Sequence, residues 1–100
     1  MNQIDLLYFL EESKQLNREV DDMLQFLCHE TVSSNNRKLA YFVDALNEIH
    51  NKLLEAQTLL TECYVSKLGN KDIDKACKLF LVQERAFEIL ELNIWVYNQG

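Results

Sequence analysis

A chain of 100 residues, 48% apolar and 26% charged, with no proline and with glycine only at Gly69 and Gly100, fits a single domain and is too apolar for disorder. The scarcity of turn-forming residues argues against sheet and suits long uninterrupted helices. A net charge of −6 argues against direct binding to a phosphate backbone.

The first helix is expected over residues 3–29. Asn2 followed by Asp5 supplies a capping residue and an acid for the positive end of the helix. Its seam reads Leu6, Phe9, Ser13, Leu16, Val20, Met23 and Leu27 at alternating spacings of three and four, with Leu10 and Leu24 widening it. The acidity of the chain is concentrated here. Residues 1–30 carry Asp5, Glu11, Glu12, Glu19, Asp21, Asp22 and Glu30 against Lys14 and Arg18, while the other two thirds are close to balance. Such a face keeps a protein soluble or attracts a basic partner, and Glu11, Glu12, Asp21 and Asp22 are its candidate contacts. Tyr8 and Phe26, five turns apart, point away from the seam and join them as candidate partner-binding residues.

Thr31 to Asn36 breaks the period with short polar side chains, so a loop is expected there, with Ser34 or Asn35 capping a second helix over 36–67. That helix carries the longest seam: Leu39, Phe42, Leu46, Ile49, Leu53, Ala56, Leu60 and Cys63. Lys67-Leu68-Gly69-Asn70 then offers a cation for the last carbonyls, a glycine to end the helix and a new cap.

The third helix, expected over 72–98, has Ile73, Ala76, Phe80, Gln83, Phe87, Leu90, Ile94 and Tyr97 on its stripe, with Leu79, Val82, Ala86, Ile89 and Val96 beside it. This apolar arc exceeds half the circumference, more than two neighbouring helices need to cover. Leu81, Leu92 and Trp95 fall on a further face with Glu88, the kind of apolar anchors that interfaces bury. Three segments of about 40–45 Å joined by short connections fold most simply as an elongated antiparallel three-helix bundle, a single helical domain over 1–100 that dimerises through its third helix.

Chemistry has little purchase on this pattern. Cys28-His29-Glu30 are adjacent and therefore diverge by about 100° along a helix, whereas structural zinc needs four convergent ligands. Glu19 and Asp22 form one E-x-x-D, but nearly all seam positions are apolar, Glu48 and His50 are two residues apart, and no glycine-rich phosphate loop exists. Cys63 and Cys77 lie near the same end of an up-down-up path, as small core residues or as a redox pair. Three cysteines without C-x-x-C, and no signal-like or membrane-length apolar run, point to the cytoplasm. The expectation is a non-enzymatic, cofactor-free protein that binds another protein, of adaptor, chaperone-like, immunity or inhibitor type. The alternative is a small metal-dependent enzyme using helix-borne carboxylates.

Overall fold

The computed structural model describes residues 3–34, 37–66 and 70–99, with side chains described over 6–29, 37–65 and 72–97. All of these residues are helical: α1 (Gln3–Ser34), α2 (Arg37–Ser66) and α3 (Asn70–Gln99). α1 packs closely on α2 and α2 on α3, whereas α1 and α3, which run parallel, approach each other less closely. The resulting three-helix bundle measures 48 × 20 × 17 Å. Its radius of gyration of 15.4 Å exceeds the roughly 13 Å of a compact 100-residue domain, as an elongated bundle requires.

The seam of α2 is buried along its whole length, from Leu39 to Cys63, and organises the core. Towards one end it meets Leu16, Val20, Leu24 and Leu27 of α1 and Phe80, Phe87, Leu90 and Ile94 of α3. At the other, Leu60 and Cys63 pack with Leu6, Leu10, Ile73, Ala76 and Cys77. Phe9 packs against both groups and joins them into one continuous core. Ser13, the polar residue in the α1 seam, is fully buried, and its hydroxyl donates to the Leu10 carbonyl at 2.7 Å. The side chain thus satisfies its own polar group within the preceding turn and leaves the seam dry.

Two boundaries differ from the sequence expectation. Thr31 to Ser34 form the last turn of α1 and not a loop, so Ser34 does not cap α2. These residue types cost only a few tenths of a kcal/mol each in a helix, and extending a nucleated helix gains a hydrogen bond per residue. α3 begins at Asn70, two residues before its expected start, and has Asp72 in its first turn, where the helix dipole favours an acid. The expected caps at Asn2 and Asn35, and the Lys67 to Gly69 turn, lie outside the described residues.

Candidate functional site

The wide apolar arc of α3 divides in two. Leu79 and Ala86 are half-buried against the core, but Val82, Ile89 and Val96 stand 60%, 50% and 56% exposed. Ile89 is nine residues from Phe80, about two and a half turns at roughly 100° per residue, and so points away from the interior. Leu81, Leu92 and Trp95 are exposed as well, at 47%, 62% and 59%. α3 therefore carries six of the large apolar side chains that the bundle leaves in solvent. They cluster on one outward face.

That face has two banks. On the α1 side an open groove of about 410 Å³ is lined by Met23, Glu88, Glu91, Leu92, Ile94 and Trp95. On the α2 side a second groove runs between Tyr41, Ala45, Glu48, Ile49 and Lys52 and the Gln83, Ala86, Ile89, Leu90 and Asn93 edge of α3. Tyr41 stands 64% exposed at its rim.

The α1 bank is acidic. Glu84, one turn before Glu88, is only partly exposed, and its carboxyl is held above the usual glutamate range by burial first, then by Glu88 and by Glu12 across on α1. Glu88 itself lies 3.5 Å from the Arg85 guanidinium on the exposed face. Of these groups only Glu88, with Glu91, lines the Trp95 groove, and the two carboxylates give its rim a negative charge.

The acids expected to form one face of the first helix do not do so. Glu12 faces α3, through its interaction with Glu84. Glu11 and Asp21 instead line a polar groove between α1 and α2, with Lys14, Asn17, Arg18 and His50. There Glu11 lies 3.9 Å from Lys14, and Asp21 accepts from the Gln25 amide at 3.0 Å. Asp22 is exposed and lines neither groove. Tyr8 and Phe26 are both exposed, Tyr8 with its ring edge-on to Phe9 at 5.7 Å; Phe26 lies one turn beyond Met23.

Val82, Ile89 and Val96, which the sequence places beside the core stripe in an arc wider than two helices cover, stand in solvent, while Met23 of the α1 seam packs against the core and also lines the Trp95 groove. The signal is the spacing of Val82, Ile89 and Val96, seven residues apart and each two residues, about 200°, beyond Phe80, Phe87 and Ile94.

Two of the three cysteines sit in the core. Cys63 and Cys77 are buried in the same end of the core, and burial is the first cause holding both thiols above their ordinary range. Cys28 is exposed. Among the described residues no three His, Cys, Asp or Glu side chains are grouped so as to hold a metal ion, and no helix is long and apolar enough to cross a membrane. Comparison with protein-family models, with curated proteins and with solved structures gives no match to this chain.

Proposed function

We propose that this chain is a non-enzymatic interaction protein that acts by holding another protein in the groove between α1 and α3. The observation that carries this reading is the pairing of Leu92 and Trp95, both more than half exposed, with Glu88 and Glu91 around one groove. An isolated bundle gains nothing by keeping a tryptophan and a leucine in water, whereas a partner that covers them buries apolar area and expels water. The acid rim selects what covers them. A helix with an apolar face and lysine or arginine flanks would fill the groove and offset the charge of Glu88 and Glu91 on its rim. Such a protein works by occupying a surface, as adaptors, chaperones, immunity proteins and inhibitors do.

Trp95 is the chain's one tryptophan, so its emission reports the groove directly. Titration with an amphipathic leucine-lysine helical peptide is expected to shift that emission to the blue, saturably and with weakening at high salt. Glu91→Lys is expected to weaken binding at least tenfold with helicity unchanged. In extracts of the native host, a partner held in fixed stoichiometry is expected to be lost from the Leu92→Ala/Trp95→Ala double variant. Peptide binding and partner capture that are indifferent to these substitutions would overturn the reading.

A further inference from the structure

α3 carries a second heptad seam opposite the first. Val82, Arg85, Ile89, Leu92 and Val96 follow one another at spacings of three, four, three and four, all exposed, on the side turned away from α1 and α2. A surface helix needs one apolar stripe; two opposed stripes belong to a helix that lies between two neighbours. Val82, Ile89 and Val96 alternate here with Arg85 and Leu92, an apolar heptad seam interrupted by one cation.

We infer that this seam is covered by a second copy of the same chain, with the two α3 helices packed antiparallel about a two-fold axis near Ile89. This rests on the interaction reading above and gives α3 a second occupant, whose seam shares Leu92 with the Trp95 groove. Charge selects the second copy and its direction. Arg85 sits within the seam beside Glu88, at 3.5 Å. Parallel pairing would stack Arg85 on its own copy in a shared d layer. Antiparallel pairing instead sets each Arg85 against an aliphatic layer, with the Glu88 of the other copy within reach, so that the patch is complementary to itself as a two-fold contact demands. The same axis brings Leu81 of one copy beside Trp95 of the other.

A strip one helix wide lies at the small end of stable interfaces, about 1,200 Å² in total, so a dimer that dissociates at about micromolar concentration is expected. Sedimentation velocity of the full chain over a concentration series is expected to show a monomer–dimer equilibrium. Ile89 is half exposed, so Ile89→Glu is expected to keep its helicity while weakening the dimer at least tenfold. In a Cys28→Ser background, mixed Leu81→Cys and Trp95→Cys chains are expected to form the disulfide between unlike chains in preference to either like pair. A monomer at every concentration, a dimer indifferent to Ile89→Glu, or preferential cross-linking of like chains would each overturn the proposal.

Glu91 lies off the seam, which separates this proposal from the previous one. A wild-type chain that stays monomeric but captures its partner through Glu91 overturns the seam alone. A dimer broken by Ile89→Glu in a chain with no Glu91-dependent binding supports the seam and overturns the groove.

Discussion

The ring of Phe9 on α1 meets the ring of Phe80 on α3 edge-on, with centroids 5.9 Å apart and planes at 79°. This contact spans the two helices that approach each other least closely, at the level where the two parts of the core join. Phe80 is almost fully buried, so Phe80→Ala should destabilise the bundle by about 3–5 kcal/mol through lost burial and the cavity left behind. Phe9 is half-buried and should cost less. In a double-mutant cycle the pair should show a coupling of about 0.5–1.5 kcal/mol, the size expected of an aromatic edge contact. Urea denaturation of the four proteins supplies the numbers, and strict additivity would show that the rings merely lie side by side.

Asn17 on α1 and His50 on α2 pose the opposite case. Both line the α1–α2 groove, and Asn17 Oδ1 and His50 Nδ1 are buried without a hydrogen-bond partner among the described residues. A buried acceptor left unpaired costs about 1–3 kcal/mol, and asparagine is also a poorer helix former than leucine. Asn17→Leu should therefore raise stability by about 1 kcal/mol, seen as a higher urea midpoint at unchanged slope. A lower midpoint would mean that solvent already serves the oxygen.

The parts of the fold that were legible are those that depend on one dimension. Leu39 to Cys63 had only to recur at spacings of three and four, because a helix that buries one stripe against two neighbours leaves that trace in any order of elements. Direction around the axis is harder to read. Val82, Ile89 and Val96 mark a seam as clearly as Phe80, Phe87 and Ile94 do, but periodicity does not say which seam the rest of the chain will cover. Glu11 and Glu12 count as one acidic cluster by position, yet they diverge by about 100°, and α2 takes one while α3 takes the other. The end of α1 was obscured differently. Thr31 to Ser34 have a weak local preference against helix, and a weak preference yields to an already propagating helix.

Glu84 ties stability to the charge of Glu88, which lines the partner groove. Burial, Glu88 and Glu12 all favour its neutral form, so the folded chain holds that proton to a higher pH than the unfolded chain does. The stabilisation linked to the proton is fully present below the unfolded glutamate's pKa and is lost as pH rises through the folded value. At neutral pH the ionised group is therefore a cost to folding. Glu84→Gln should be more stable than the wild type at pH 7 by a few tenths of a kcal/mol, the size of a like-charge pair one turn apart. That advantage should vanish at about pH 3, where both chains are neutral at this position. Urea titrations at the two pH values make the comparison, and an advantage that grows in acid would contradict the assignment. A basic partner seated in the Trp95 groove would pair with Glu88 and so offset one of the charges that hold Glu84 neutral. Its binding should accordingly drive Glu84 to ionise, and the gain in affinity between pH 4 and pH 7 should be smaller for Glu84→Gln than for the wild type.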